Sequence, residues 1–497
     1  MFSHTRTRRG PQETAVAIRL IFPLEAGHVA RSDFLERRFE GSIIVDHAQS
    51  FTTPCESKDA VEVLSDLSLS HLSPAITKAI GGIKLAGLAA ADADAVDAEL
   101  VDRLSFPWLV PNRLEPRRIA WVQGREDIDC IARALDAASA LGIKLDFVAV
   151  DITADAGLPQ RIVDAVRSYR LPIHGVVTIS DVRLAAVARA CQELDLPTES
   201  PEAYEIAADK GRTRLLETVG AGESFVLQKA GDLAGYLARR EEEGAAPLAF
   251  PMVVKPVVGW CSDCVSKSAS PSTVVVVEPY VDGPEPCGCS GAGYKANFQE
   301  TQNVMPSALP AAEQAAIKEQ LLQSMLRQGF RSGLFHCEAR VRNSAQAPEI
   351  YLHEVNARPA GYLESVAVLL AYGVDYYALR MLLALGPSEH ARFRALAQPF
   401  RGGPQFHLSV MIIQQTKAGI MRSEDAAKEF LDRHPDVRRN VVDYYSRKKA
   451  GDVLEGPDAS ALWWVAFLSV ISRTSREDLL KRVAFVQENF DYEMEEA

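Results

Sequence analysis

Between residues 117 and 194, apolar and polar positions follow a regular succession of short and long segments. Short apolar runs predict strands, and longer stretches with apolar residues three or four positions apart predict helices. The predicted strands are Ile119–Val122, Leu145–Val150 and Gly175–Ile179, and the predicted helices are Ile128–Leu141, Val163–Tyr169 and Leu184–Leu194. Strands and helices that alternate in this way build a parallel sheet flanked by helices.

The chain on either side of this region has a weaker pattern. We predict strands at Val16–Phe22, Ser42–Val45 and Phe406–Ile413, a linker at Pro107–Pro116, and helices at Tyr377–Leu385 and Arg476–Phe490. Residues 1–115 receive no chemical role from the sequence. The C-terminal region is expected to mix helices with strands.

The length and charge of the chain limit the classes of partner. A chain of 497 residues exceeds what one hydrophobic core usually supports, so about three domains are expected. The formal net charge of -12 gives no broad attraction for nucleic acid or an anionic membrane. The longest apolar runs, such as Ala461–Val470, are shorter than the roughly 18 residues of a spanning helix. We therefore expect no nucleic acid and no membrane as a partner.

The cysteine content indicates the compartment. Eight cysteines are too few for a disulfide scaffold in a chain of this length, and no secretory apolar segment precedes them. A reducing, cytoplasmic location is the expectation. Arg6, Arg8 and Arg9 give the N-terminus a faint likeness to a transit peptide, but a disordered tail is favoured. A homo-oligomer is left open.

One lysine stands at the end of an apolar strand. Residues 250–256 read FPMVVKP, and Lys255 is followed by the small residues of the loop that begins near Gly259. A lysine in that place can pair with phosphate oxygens, while backbone N–H groups of the loop approach the same anion. The alternative is a surface lysine that extends its ammonium group to water.

Two further segments carry carboxylates inside apolar strands. Residues 333–341 read GLFHCEARV and contain Glu338, and residues 351–358 read YLHEVNAR and contain Glu354 and Asn356 on one strand face. A buried carboxylate needs a partner or a metal ion, and two carboxylates with one amide suit magnesium. The alternative is a structural ion-pair network with the neighbouring arginines, Arg340, Arg342 and Arg358.

Together these segments resemble the motifs of the ATP-grasp enzymes, in particular the carboxylate-amine ligases that join amino acids. The likeness extends from about Arg117 to Glu364. It implies that Lys210, in AADKGRTRLL, and Lys255 touch the phosphates of ATP. It also implies a magnesium site of Glu338, Glu354 and Asn356. The candidate catalytic residues are Arg358, which would contact phosphate or substrate, and Arg340.

The segment VVVVEPYVDGPE, residues 274–285, resembles the stretch of these enzymes that covers adenine. The likeness places Glu278 near the adenine amino group and Glu285 on the ribose hydroxyls. The carbonyl of Pro279 and the N–H of Val281 would then pair with the adenine edge, since proline lacks only the donor. The alternative is an ordinary strand that ends in a turn.

The fold that the resemblance implies is α/β and α+β, and multidomain. It consists of a parallel α/β pre-ATP-grasp domain at 116–204, a two-lobed ATP-grasp domain at 205–390 and a mixed C-terminal α+β domain at 391–497, after the region 1–115. The implied reaction is ligation of a carboxylate, such as an amino acid, to an amine, with an acyl phosphate as intermediate and with ATP and magnesium as cofactors.

The ATP-grasp segment departs from the family at two places. It is shortened near 265–275, where a helix is usual, and near 286–300, where further strands are usual. A catalytically weak or inactive ATP-binding protein is therefore the alternative function. A second alternative is a zinc ion that staples the shortened lobe through four cysteines, Cys261, Cys264, Cys287 and Cys289. A biotin-dependent carboxylase is disfavoured because no Met-Lys-Met carrier site is present.

Overall fold

The structure is a computed structural model, and it describes most of the chain beyond residue 109. The described residues are 16–23, 25–31, 42–43, 51–52, 79–86, 101, 104, 109–122, 130–229, 231–248, 250–259, 274–279, 281, 288–290, 300–342, 348–457 and 463–495. Cys261, Cys264, Glu285 and Cys287 lie outside these ranges, as does the side chain of Cys289. The zinc hypothesis therefore stays a prediction.

Helices and strands both occur throughout the described residues. The strands are, in chain order, β1 (Val16–Ile21), β2 (Gly27–Val29), β3 (Ser42–Ile43), β4 (Phe51–Thr52), β5 (Gly81–Ala86), β6 (Leu109–Val110), β7 (Arg117–Trp121), β8 (Ile143–Phe147), β9 (Gly175–Val177), β10 (Phe225–Leu227), β11 (Met252–Pro256), β12 (Val275–Pro279), β13 (Gly288–Ser290), β14 (Glu300–Met305), β15 (His336–Arg342), β16 (Glu349–Asn356), β17 (His407–Gln414), β18 (Ala418–Ile420), β19 (Val441–Ser446), β20 (Val453–Glu455) and β21 (Trp464–Ser472). The helices are α1 (Cys130–Leu141), α2 (Leu158–Ser168), α3 (Asp181–Glu193), α4 (Pro201–Ala208), α5 (Lys210–Leu216), α6 (Asp232–Glu242), α7 (Ala311–Gln328), α8 (Tyr362–Tyr372), α9 (Tyr376–Ala384), α10 (His390–Leu396), α11 (Ala426–Arg433), α12 (Pro435–Arg438) and α13 (Arg476–Asn489).

The chain divides into two compact units whose segments alternate along the sequence. The first unit takes Met1–Thr178, Ala190–Thr198 and Val368–Gln405, and the second takes Ile179–Arg189, Glu199–Ala367 and Phe406–Ala497. The domain boundaries predicted after residues 115, 204 and 390 stay predictions.

A parallel sheet lies in the first unit, as predicted from the alternating pattern. Its strand order is β8-β7-β9, with Arg117 opposite Ile143 and Ile119 opposite Gly175. The central strand β7 is buried at Ile119, Ala120 and Trp121, as expected for a strand covered on both faces. The predicted strands and helices of this region are therefore confirmed, although their ends shift by a few residues.

The N-terminal strands of the first unit form two small antiparallel sheets. Their orders are β1-β5-β3 and β4-β2-β6. The predictions of β1 and β3 are confirmed. The linker prediction at 107–116 is wrong in part, because Leu109 and Val110 form β6 and pair with Val29 and His28. Two apolar residues are too short a run to reveal a strand without knowledge of its partner.

The second unit holds the strands that carry the candidate site. Its described sheets have the orders β10-β12-β11, β15-β16, β13-β14-β17-β21-β19 and β18-β20, and all of their pairs are antiparallel. β14 pairs with β17, and within the described residues β15 and β16 form a two-stranded sheet of their own. The predicted shortening near 286–300 stays a prediction.

The hairpin β15–β16 is fixed by a core on one of its faces. Ala339, Val341, Ile350, Leu352 and Val355 pack there with residues of α4 and α7. Burial of that apolar face holds the hairpin in one register, because a slip by one residue would turn these side chains to the other side. The opposite face is left for polar side chains.

No single helix in the described part of the chain is long and apolar enough to cross a membrane. The consecutive helices α8 and α9 reach the length and apolar composition of a membrane span only when they are taken together. They are bent by 101° at their junction.

Candidate functional site

Lys255 lies near the end of β11 with its side chain turned inward. The residue is 7% exposed, and its Nζ lies 2.5 Å from Oε1 of Glu278 on the neighbouring strand β12. In the antiparallel register Lys255 stands opposite Val276, so Glu278 is its diagonal neighbour on the same sheet face. Nζ also donates to the carbonyl oxygen of His353 at 3.2 Å. The interpretation as a surface lysine is therefore wrong.

Glu278 is buried among groups that stabilise its charge. It is 2% exposed, and Oε2 accepts from Arg214 Nε at 2.9 Å and from the Tyr351 hydroxyl at 3.3 Å. Burial acts to raise the pKa of Glu278, but the adjacent Lys255 and Arg214 outweigh it, so the pKa lies below its ordinary value. Glu278 is therefore an ionised carboxylate between two cations.

Helix α5 brings Lys210 to the same place. The Asp209 side chain caps the helix by accepting from the N–H of Arg212, and the N–H of Lys210 donates to the carbonyl of Val257 at 2.9 Å. A Cβ on Gly211 would lie 2.8 Å from a methyl carbon of Val226, so glycine permits this close approach of α5 to β10.

The ammonium group of Lys210 joins the loop after β11 to the hairpin. Nζ donates to the carbonyl oxygen of Gly259 at 2.8 Å and lies 3.4 Å from Oε1 of Glu354. A predicted phosphate ligand and a predicted magnesium ligand are thus direct neighbours.

The three predicted magnesium ligands share one face of the β15–β16 hairpin. Glu338 stands opposite Glu354, and His336 stands opposite Asn356. The register then shifts, because Ala339 stands opposite Leu352 and His353 is the extra residue of a β-bulge. The bulge places Tyr351 on the same side as Glu354, whereas strict alternation would put them on opposite faces.

Burial and like charge act together on Glu338. Burial raises its pKa well above the ordinary value, and the nearby carboxylates of Glu354 and Glu300 raise it further. Lys255 and Lys210 act in the opposite direction. A cation placed between Glu338 and Glu354 would relieve this repulsion.

Two neutral histidines flank these carboxylates. Burial lowers the pKa of His336 to about 4, and it lowers the pKa of His353 to about 3, with Lys255 contributing. Both remain uncharged near neutral pH and add no positive charge to the site. Their role as packed strand residues agrees with their burial.

The two arginines predicted to be catalytic border the same face. Arg340 follows Glu338 by two residues on β15, and its charge acts on His353. Arg358 lies just beyond β16, where its Nε is 2.7 Å from Oδ2 of Asp181 at the start of α3. The positive charge of Arg358 also acts on His336.

The residues predicted to cover adenine are only partly described. Pro279 ends β12 opposite Met252, and Val281 is buried. Glu285, predicted to bind ribose, lies outside the described residues. Their contacts with a nucleotide stay predictions.

The donor set fits a magnesium ion by its chemistry. Among the described residues, no three His, Cys, Asp or Glu side chains are grouped so that they could hold a metal ion. The ligand set thus depends on the Asn356 amide oxygen beside the carboxylates of Glu338 and Glu354. Two carboxylates and one amide leave coordination positions for water and phosphate, which is the usual arrangement for magnesium.

The sequence did not reveal three side chains that hold the site together. Arg214 and Tyr351 bind Glu278, and Asp181 binds Arg358. Arg214 lies four residues after Lys210, one helical turn further along α5, which is the one local signal that could have drawn attention to it. Tyr351 joins the site face only through the β-bulge.

Comparison with known proteins finds similarity to ATP-grasp proteins. Residues 136–198 match the ATP-grasp N-terminal domain. The chain is 28% identical to the ATP-grasp enzyme fsqD of Aspergillus fumigatus, in an alignment that covers 96% of this chain and 98% of the relative. That alignment runs over 572 positions, 75 more than the 497 residues of this chain, so the relative has residues that this chain lacks.

Solved structures share the fold. L-amino acid ligase from Bacillus licheniformis superposes with a TM-score of 0.59 at 19% identity, covering 76% of this chain and 99% of the ligase. Phosphoribosylglycinamide synthetase from Anaerococcus prevotii superposes with a TM-score of 0.52 at 14% identity, covering 77% of this chain and 100% of the synthetase. The predicted mixed α/β multidomain fold is confirmed, and the chain is similar in sequence to ATP-grasp proteins, at residues 136–198 and along the fungal ATP-grasp enzyme.

Proposed function

We propose that this protein is an ATP- and magnesium-dependent ligase that joins a small-molecule carboxylate to an amine. The carboxylate is an amino acid in the proposal, because a structural relative is an L-amino acid ligase. The observation that carries the proposal is the contact of Lys210 with Glu354, whose cross-strand partner is Glu338. This contact supports the proposal that Lys210 binds a phosphate beside the carboxylates that would hold the metal ion.

The site residues have separate tasks in this reaction. Lys210 and Lys255 bind phosphate oxygens, and Arg358 offsets the charge that gathers on the transferred phosphoryl group as the substrate carboxylate attacks it. The amine then displaces phosphate from the acyl phosphate. Glu338, Glu354 and Asn356 would hold magnesium, which supplies charge neutralisation and orientation of the phosphates. Closure of the site against water would protect the acyl phosphate from hydrolysis.

The proposal is tested by phosphate release. Purified protein with ATP and magnesium is supplied with amino acids singly and in pairs, and ADP, phosphate and the ligated product are measured. We expect release that requires both a carboxylate and an amine. Absence of nucleotide-dependent activity with every pair, together with absence of ATP binding, would contradict the proposal.

A second candidate is an ATP-binding protein with little or no catalytic activity. It is favoured by the shortening that the sequence predicts near 265–275 and 286–300, and the alignment with the fungal relative, at 572 positions, is 75 positions longer than this chain of 497 residues. This candidate predicts thermal stabilisation by ATP with no turnover for any substrate pair. A cytoplasmic location, and the absence of nucleic-acid and membrane partners, stay predictions from the sequence.

A further inference from the structure

Three charged side chains from β11, β12 and α5 meet in one cluster and are almost wholly withdrawn from water. Lys255 and Glu278 face each other across β11 and β12, and Arg214 reaches Glu278 from α5. Arg214 is 2% exposed. Burial of an arginine destabilises the fold unless its N–H groups find acceptors, so the contacts of Arg214 indicate its role.

The guanidinium group of Arg214 satisfies its donors on separate parts of the site. Nε donates to Oε2 of Glu278 at 2.9 Å, and Nη1 donates to the carbonyl of Val219 at 3.0 Å. Nη2 donates to the carbonyl of Leu352 on β16. The group also lies over the Tyr351 ring, 4.0 Å from its centroid. Arg214 therefore joins the helix of Lys210 to the strands of Glu278 and Glu354.

The two oxygens of Glu278 are divided between the two cations. Oε2 accepts hydrogen bonds from Arg214 and from the Tyr351 hydroxyl, and Oε1 forms the ion pair with Lys255. Two positive charges and one negative charge leave a net charge of one positive unit in this cluster. Without Arg214 the pair of Lys255 and Glu278 would be neutral. Among the described ion-pair partners of Glu278, the Lys255 ammonium would then be the cation left to stabilise this buried carboxylate.

We propose that Arg214 is a positioning residue that keeps the Lys255 ammonium available to a phosphate group by holding Glu278 in its place. The inference rests on the proposed function, since it assigns Lys255 to a nucleotide phosphate. Arg214 itself touches no phosphate in this role. It acts through the charge and the orientation of Glu278.

The first test compares ligands with and without phosphates. ATP and adenosine are titrated calorimetrically into the wild type and into Arg214→Met, a substitution that keeps length and removes the charge. We expect ATP binding to weaken roughly 10- to 100-fold, the value of a charge-assisted contact, while adenosine binding changes little. An equal loss for both ligands would overturn the inference, because it would indicate a purely structural role.

The second test asks whether the effect passes through Glu278. In Arg214→Met/Glu278→Gln the carboxylate charge is removed as well, so Lys255 regains its free positive charge. We expect ATP affinity to recover by about tenfold relative to Arg214→Met. The single variant Glu278→Gln completes a double-mutant cycle. If the losses of ATP affinity in the two single variants add up in the double variant, the inference is overturned. The double variant removes the buried carboxylate together with the arginine, and Lys255 keeps its hydrogen bond to the His353 carbonyl. If Arg214→Met alone does not fold, the double variant is compared with Glu278→Gln. We then expect equal ATP affinity in the two, and a roughly tenfold weaker affinity of the double variant would overturn the inference.

Controls separate this inference from the proposed function. Arg392→Met removes another buried arginine, one that binds the carbonyls of Ala30 and Leu141, and we expect lower thermal stability with unchanged ATP affinity. Arg214→Lys restores a cation and is expected to bind ATP more tightly than Arg214→Met. Failure of the wild type to bind ATP would refute the proposed function, whereas wild-type binding with unchanged affinity in Arg214→Met would refute only this inference.

Discussion

Glu338 and Glu354 face each other across the β15–β16 hairpin, and Lys210 lies 3.4 Å from Glu354. The two carboxylates repel each other in a place where burial already disfavours charge, which raises the pKa of Glu338. The fold tolerates this cost on one hairpin face while it buries apolar side chains on the other. Such a local conflict between stability and charge is typical of a functional site.

The first prediction concerns magnesium. Glu338→Gln removes one of two repelling carboxylates, so the protein without metal should become more heat-stable than the wild type. The same change removes a ligand, and magnesium should bind at least tenfold more weakly, a loss of about 1.4 kcal/mol. Thermal denaturation with and without magnesium measures both effects.

The control for this prediction lies in the same hairpin. Glu349 stands at the far end of β16 and pairs loosely with Arg342, with 3.8 Å between Nε and Oε2. Glu349→Gln should leave the response to magnesium unchanged. A magnesium response in Glu338→Gln equal to that of the wild type would remove the assigned metal role.

The second prediction concerns the turn that supports Tyr351. Gly220 has a φ of +80°, and a Cβ there would lie 2.5 Å from a ring carbon of Tyr351. Gly220→Ala should therefore destabilise the protein by about 1 to 3 kcal/mol, measured by chemical denaturation. Gly222, which has nothing within 4 Å of its Cβ position, is the control, and Gly222→Ala should be nearly neutral. Equal effects of the two substitutions would contradict the packing against Tyr351.

The third prediction concerns acid. The pKa of Glu278 in the folded protein lies below its ordinary value of 4.5, so the unfolded chain binds more protons between these two values. The ion pairs of Glu278 therefore stabilise the fold fully above pH 4.5, and this contribution is lost as the pH falls through the lowered pKa. Chemical denaturation between about pH 3 and 6 measures how the free energy of unfolding changes with pH. This change should be smaller in Glu278→Gln than in the wild type. Parallel profiles of the two proteins would show that Glu278 is not responsible.

The fourth prediction concerns Asp181, whose carboxylate holds Arg358 at 2.7 Å. Asp181→Asn keeps the shape of the side chain but loosens the arginine, so kcat should fall about tenfold while KM for ATP changes less. Asp155→Asn is the control, because Asp155 pairs with Arg161 on an exposed surface at 2.8 Å. Steady-state kinetics with both substrates measure the change, and an unaltered kcat would separate Asp181 from the reaction.

The sequence predicted the regular part of the fold because its signal is local. The strands around Ile119 and Gly175 and the helices between them follow from apolar spacing alone. The pairing of Val110 with His28 could not be foreseen, since two residues in a short strand carry no periodicity. Such strands form only when a distant partner supplies the other half of each hydrogen bond.

The candidate site shows the same division. The sequence pointed to Lys255, Glu338 and Glu354, because a charged residue inside an apolar strand is conspicuous. It did not point to Tyr351, because simple alternation places Tyr351 and Glu354 on opposite faces. The bulge at His353 reverses that relation, and a bulge depends on the register with the partner strand.

The sequence by itself indicated the resemblance to ATP-grasp enzymes, the alternating strands and helices of residues 117–194, and several charged residues of the candidate site. Only the tertiary structure decided which charges meet. In the folded protein Glu278 forms ion pairs with both Lys255 and Arg214, and Glu354 forms an ion pair with Lys210. The reason is that the spacing of apolar residues is a local property of the sequence. The energy of a buried charge depends instead on groups that are distant along the chain and come together only in the folded state.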